Sequence, residues 1–394
     1  REALRAWSGQ QTLARLTWRW VGPVLASAPN DILASLGHDV GSWLKAVAKT
    51  LRGREDPFVD LCKRILAMEH QLVVDHGSPL IQAINHPVGQ ITEALLISWH
   101  RRGLYDDQQL PSDLRGIFTA ISDTQNAAFR HGRVLLGVYA IALFRVDGDW
   151  FAERLLPLFD WTRSEGEARA TWSGFLSSPR LYRPLIAQMK EHFLETARHF
   201  NAIDRTLAEQ YVSLLTIAAL EARDTFTRTE LQSVIRVLPA EGLRRAAHTL
   251  ASNLESVGEQ RSEYWNNRVR PFLQSIWPQS REHVTPAVSE TLARVCIAAG
   301  DDFPDAVDVL RNWLQPLEHP DSVVEPLYQA DLCQRFPEPA LEYLNRVVSS
   351  GIDWAPRHLK ECLVSIKTQD PDLQTDGRFT RLVVVLRGTG REWP

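Results

Sequence analysis

Long apolar runs are missing from this sequence. The most hydrophobic stretch, Val134 to Phe144, is about half the length an α-helix needs to cross a bilayer, and no apolar leader flanked by Lys or Arg is present. It reads as a core helix, and no membrane partner is expected. Cysteine is scarce as well. The four residues Cys62, Cys296, Cys333 and Cys362 stand far apart, none in a CxxC spacing and each among apolar neighbours. That excludes a zinc ribbon and a disulfide-stapled secreted domain, and buried thiols in a reducing cytoplasm are the expectation. An excess of one charge is also absent: 44 basic and 48 acidic residues give a net charge of −4, so no global field is available to hold a polyanion, and nucleic acid is not an expected partner. Lysine contributes only six of the basic residues, a compositional habit without functional weight.

Glycine-rich phosphate loops are lacking too, since neither GxGxxG nor GxxxxGK[ST] occurs, which argues against nucleotide binding. Alternation of apolar and polar β-branched residues, the mark of a strand, is nearly absent. The exception is Leu382 to Leu386 (LVVVL), for which a last packed helix is preferred to a terminal strand. Polar or Pro/Gly-biased tracts that would signal disorder are not found either, and 44% of residues are hydrophobic.

What is present is helical periodicity almost throughout. Phe58, Leu61, Cys62, Ile65 and Leu66 form one stripe; Leu207, Tyr211, Leu214, Leu215 and Ala218 another; Leu243, Ala246, Ala247, Leu250 and Leu254 a third. Asn30-Asp31, Ser112-Asp113 and Thr227 are expected N-caps, and Pro57 and Pro304 sit where first turns accept proline. Short connections imply antiparallel neighbours.

Phe303-Pro304 and Phe336-Pro337 open two similar segments 33 residues apart. Val307, Leu310, Trp313 and Leu314 point inward in the first, and Leu341, Leu344, Val347 and Val348 in the second. Val59 to Leu66 repeats the pattern of Val307 to Leu314. A period in the thirties belongs to two-helix repeats of the tetratricopeptide or HEAT kind, because one amphipathic pair cannot cover its own apolar face and must lean on the next. The fold expected is therefore all-α: an elongated α-solenoid of stacked antiparallel helix pairs with irregular repeats. Val134–Phe144 would be sandwiched within it and the 13 tryptophans would fill gaps between layers. Breaks near His76–Gly89 and Gly258–Ser262 accompany a division into 1–125, a Trp-rich 126–258, and 259–394. With Met68 as its first methionine, the chain is expected to be a piece of a longer protein.

Few residues suggest chemistry. His192, Glu195 and His199 fall near one face of a predicted helix and are the candidate metal ligands, yet they lack the HExxH spacing and read better as a solvated surface. Glu69, His70, Asp75 and His76 could pair a base with an orienting carboxylate, but histidine at a helix C-terminus is favoured by the dipole alone. Ser98-Trp99-His100 has no glycine turn around the serine and is no nucleophile elbow. No catalytic residue and no cofactor is assigned. Arg101 and Arg102, Arg130 and Arg133, and Arg244 and Arg245 form three basic patches that could receive an acidic protein partner, though scattered surface arginines are the plainer reading. The aromatic segment Trp150, Phe151, Phe159, Trp161, Trp172 and Phe175 is read as core rather than as a partner surface.

The run Leu143-Phe144, Asp149-Trp150, Leu156-Pro157, Phe159-Asp160-Trp161, Trp172-Ser173-Gly174-Phe175-Leu176, Pro179-Arg180 and Phe193-Leu194 resembles the C-terminal helical region of bacterial anti-phage proteins with an N-terminal sirtuin-like domain. Phe272-Leu273, Trp277-Pro278, Phe303-Pro304, Arg335-Phe336-Pro337 and Asp370-Pro371 through Leu386 extend the resemblance over roughly 130–390. It implies a helical-repeat sensor or scaffold, open to forming homo-oligomers, whose partner is a phage component or an upstream effector domain that hydrolyses NAD. That domain would lie before Arg1, so none of its catalytic residues can be placed here, and the first 125 residues lie outside the resemblance. A metal- or acid/base-dependent enzyme built on His192 and His199, and a structural oligomerisation arm, are the alternatives.

Overall fold

A computed structural model describes residues 1–53, 55–70, 77–280, 284–352 and 354–389. The chain folds as two compact units, residues Arg1–Gln210 and Tyr211–Pro394. In the first, α1 (Glu2–Ser8), α2 (Gln11–Ser27), α3 (Asn30–Ser35), α4 (Gly37–Ala48) and α5 (Asp56–Leu66) precede α6 (Pro79–Asn85) and α7 (Pro87–His100). There follow α8 (Ser112–Ser122), α9 (Arg130–Val138), α10 (Ala140–Val146), the short α11 (Gly148–Trp150), α12 (Glu165–Leu176), α13 (Arg183–Gln188) and α14 (Lys190–Glu195). The division falls inside α15 (Arg205–Glu221). The second unit continues with α16 (Arg228–Arg236), α17 (Ala240–Ser256), α18 (Arg261–Tyr264), α19 (Arg270–Ser275), α20 (Pro286–Ala298) and α21 (Phe303–Leu310). It closes with α22 (Asp321–Gln329), α23 (Leu332–Arg335), α24 (Pro337–Val347), α25 (Leu359–Gln369) and α26 (Gly377–Gly388).

The fold is thus an all-α helical repeat, and among the described residues only an isolated bridge, Leu317 to Val348, departs from helix and loop. LVVVL lies inside α26, as preferred: Leu382, Val383, Val385 and Leu386 are buried while Val384 is 60% exposed, which is a helical stripe and not a strand's alternation. Thr227 caps α16 in a reciprocal capping box with Glu230, and Pro57 and Pro304 occupy first turns. Asn30 and Ser112 instead begin their helices, each preceded by a proline at the cap.

The expected boundaries at 125/126 and 258/259 do not separate units. Across the first, α8 packs on α9, and Arg133 binds the carbonyls of Ile121, Asp123 and Asn126; across the second, α17 packs on α20. The expected single helix Val134–Phe144 is broken. It turns by 74° at Tyr139, between α9 and α10. Gly137 and Gly174 explain the placement of its first half: a Cβ on either would run into the backbone of the facing helix, so α9 and α12 approach more closely than any other residue would allow. Among the described residues no single helix is long and apolar enough to cross a membrane, and the bent pair α9–α10 is largely buried in the core.

Repetition is written into the polar contacts. In the first unit Arg5 reaches Asp39 (2.7 Å), Arg64 reaches Asn30 (3.0 Å) and Arg133 reaches Glu167 (2.6 Å), each across 34 residues, while Trp161 donates to Thr196 (2.9 Å) across 35. In the second, Arg245 reaches Ser213 (2.6 Å) across 32, Arg335 pairs with Asp301 across 34, and Arg381 reaches Asn345 (2.7 Å) across 36. A helix therefore finds its neighbour about one repeat away in sequence, as stacked helix pairs require. The two Phe-Pro copies meet the same rule, with Phe303 and Phe336 stacked at 6.3 Å and α21 against α24. The aromatic segment is core: Trp150, Phe151, Phe159 and Trp172 are at most 1% exposed. All four cysteines are buried free thiols, and desolvation pushes Cys62 and Cys296 well above the usual thiol range.

Candidate binding groove

In the first unit a hollow of about 730 Å³ opens beside α8, which contributes Gly116, Thr119 and Ala120. Pro157 and Leu158, on the turn Leu156–Phe159, and Asp160, Arg163 and Ser164 also line it, together with Arg130 and Glu167. A smaller, more apolar hollow of about 360 Å³ shares Gly116 and Ala120 and is lined by Leu66, Ile117, Ile121 and Phe129. The small side chains of α8 are what leave both spaces open, since a Cβ on Gly116 would meet nothing within 4 Å.

Glu167 anchors the larger hollow. It accepts from Arg130 (2.8 Å) and takes two bonds from Arg133 (2.6 and 2.9 Å). Burial by itself would raise the Glu167 carboxyl; bonding and charge from Arg133 and Arg130 more than offset it, and its pKa lies below the ordinary glutamate value. Arg133 is 0% exposed and spends its remaining donors on the carbonyls of Ile121, Asp123 and Asn126, so the pair is fully bonded, as a buried pair must be. Nearer the rim stand Glu153 with Arg154 (2.8 Å) and Asp160 with Arg163 (3.5 Å). Burial acts to raise the Asp160 carboxyl, and hydrogen bonds from Thr162 and Arg163 with the charge of His192 bring it below the ordinary value.

Hydroxyls around the hollow serve the fold. Thr119 accepts from Trp150 Nε1 (2.9 Å), Ser122 donates to the Thr119 carbonyl (2.8 Å), and Ser164 caps α12. What the surface offers is paired charge of both signs beside apolar patches.

The six arginines expected at partner surfaces have different fates. Arg130 lines the groove. Arg133 is corrected: it is a buried structural residue, held inside by Glu167 and three carbonyls. Arg102 pairs with Asp113 at 2.9 Å, both side chains largely covered, and Arg101 is exposed but donates to the Leu51 carbonyl (2.9 Å). In the second unit Arg245 is bound to Ser213 (2.6 Å) and Arg244 is half-buried. His248 beside them is held below the ordinary histidine value by burial and by the charges of Arg245 and Arg244.

Glu195 and His199 stay within 3.7 Å of each other, and His192 does not join them in a group of three that could hold a metal ion. α14 stops at Glu195, the chain tightens into a 3₁₀ turn, and His199 (φ −102°, ψ 20°) leaves the helical path. Its ring stacks flat on Trp161 at 4.3 Å, and Glu195 is engaged by Arg198. Among the described residues no group of three or more His, Cys, Asp or Glu is arranged to hold a metal ion. Of the acid-base cluster, His70 donates from Nε2 to the Ile65 carbonyl (2.8 Å), while Asp75 and His76 lie outside the described residues. Ser98 is buried in α7.

Sequence reasoning missed the groove and a histidine stack. His86, whose Nδ1 accepts from the Val88 amide at the start of α7, lies against His131 at 4.1 Å. His131 is 3% exposed, and burial, aided by the charges of His86, Arg130 and Arg133, lowers its pKa to about 4. The Arg133–Glu167 tie carried a signal that was available, a 34-residue spacing equal to the repeat. The histidine stack carried none.

No family profile matches the chain, and no solved structure matches it. A stretch of 130 residues, 32% of the chain, is 25% identical to the uncharacterized protein y4cA of Sinorhizobium fredii (strain NBRC 101917 / NGR234), and the match spans only 11% of that protein's length.

Proposed function

We propose that this chain is a non-catalytic helical-repeat region that recognises a protein partner through the groove beside α8, and acts as a sensor or scaffold governing an effector domain of a larger bacterial protein in the cytoplasm. The observation that carries this reading is the groove itself: about 730 Å³, lined by paired charges of both signs, with Thr119, Ser122 and Ser164 committed to internal bonds. A role in anti-phage defence, with an NAD-hydrolysing effector, rests on the sequence resemblance alone. Several residues that carry it, Trp150, Phe159, Trp172 and Gly174, are packing residues, so they speak for a shared scaffold more than for a shared site.

The test is NAD turnover by this region alone and by the longer protein containing it, with Arg163→Glu placed in the latter. The region alone should release no nicotinamide. Arg163 is exposed at the groove, so its reversal should alter control of the effector while leaving the unfolding midpoint unchanged. Turnover by the isolated region, or indifference of the intact protein to the reversal, would refute the proposal.

A further inference from the structure

α2 is apolar on two faces. Its inner face carries Ala14, Trp18 and Leu25, and Trp18 lies against Trp43 and Phe58 (both 5.8 Å) while donating to Glu55 (2.7 Å). Its outer face carries Leu16, Trp20 and Val24, spaced i, i+4, i+8, which are 58%, 80% and 64% exposed. Such a ridge runs along a single side of a helix and fits the groove of another helix. A helix apolar on both faces is normally covered on both, and an outward tryptophan is the residue type that most often dominates a binding interface.

Charge decides what covers it. Arg15 and Arg19 form a second exposed i, i+4 row beside the ridge, they make no ion pair among the described residues, and α2 contains no Asp or Glu. A second copy of this chain using the same face would set arginine against arginine, so a self-complementary pairing is disfavoured. We propose that the outer face of α2 is a docking site for an amphipathic helix of another protein, with an apolar stripe bordered by acidic residues. The inference is independent of the groove beside α8.

The probe is a fluorescein-labelled helix-forming peptide of about 18 residues, long enough to run the length of α2, with leucines at i, i+4 spacing flanked by glutamate. A counterpart carries lysine in place of each glutamate. Anisotropy titrations against the full chain should show the acidic peptide binding about tenfold or more tightly than the basic one. Trp20→Ser should weaken it by a similar factor, and the double reversal R15E/R19E should invert the preference. These side chains are exposed, so circular dichroism and the unfolding midpoint should stay unchanged. Equal affinity for both peptides, or indifference to Trp20→Ser and to R15E/R19E, overturns the proposal. So does sedimentation showing a dimer that Trp20→Ser converts to a monomer, since a second copy would then own the face.

Discussion

The two units solve the same packing problem by different means. In the second, successive repeats meet through apolar stacking, Phe303 on Phe336 and Trp277 against Trp313, and the polar ties across a repeat are partly buried, as between Arg381 and Asn345, or exposed, as between Arg335 and Asp301. In the first, a tie across one repeat is buried outright: Arg133 on α9 holds Glu167 on α12 beneath the groove, where glycines bring the two helices together. Surface ties add little stability because water already screens the charges, whereas a buried pair is costly to break because its survivor has no water to turn to. The lesson is that one sequence period of 34 residues can be tied either at the surface, as by Arg335 and Asp301, or by charge buried between helices, as by Arg133 and Glu167.

The sharpest way to break this contrast is Arg133→Met against Arg335→Met. In denaturant unfolding of the whole chain the first should cost about 3–5 kcal/mol and the second less than about 1 kcal/mol. Equal losses would erase the distinction. Next in size is the close approach of α9 and α12. Gly174→Ala places a methyl against the Val134 carbonyl and should cost about 1–3 kcal/mol, while Gly377→Ala in the second unit meets nothing within 4 Å and should be near neutral in the same assay.

Acidity offers a third probe, read at His131 and Glu167 in the first unit. His131 has a folded pKa of about 4 against an ordinary value of 6.5, so below pH 6.5 the unfolded chain takes up a proton that the folded chain refuses. Stability should therefore fall as pH drops from 6.5 towards 4, and His131→Phe should flatten that slope in thermal scans. Glu167 has the opposite charge type but the same sign of effect: its contribution is present above the ordinary glutamate value and is lost at lower pH, as it becomes protonated in the fold. A modest loss is expected in the second unit, where Thr227→Ala removes the capping box of α16 and should cost about 1 kcal/mol.

Much of the fold was legible because apolar burial leaves a periodic trace. The Phe-Pro copies, the stripes of α5 and α17, the helical LVVVL segment and the buried cysteines all follow from spacing and neighbours. The candidate site was not legible in that way. Its residues run from Gly116 to Glu167 and meet only because α8 and the segment after Trp150 fold to the same place. Arg133 looked like one more surface arginine, and only its partner 34 residues on distinguishes it. The break at Tyr139 and the 3₁₀ turn after Glu195 lie within helical-looking stretches that contain no proline to announce them.

A double-mutant cycle on Arg133 and Glu167, using Arg133→Met, Glu167→Gln and the pair in denaturant unfolding, bears most directly on the claim that buried charge links the repeats beneath the groove. A coupling of about 2 kcal/mol or more is expected, with less than about 1 kcal/mol for Arg335 and Asp301 treated the same way. Additive losses at Arg133 and Glu167 would contradict it.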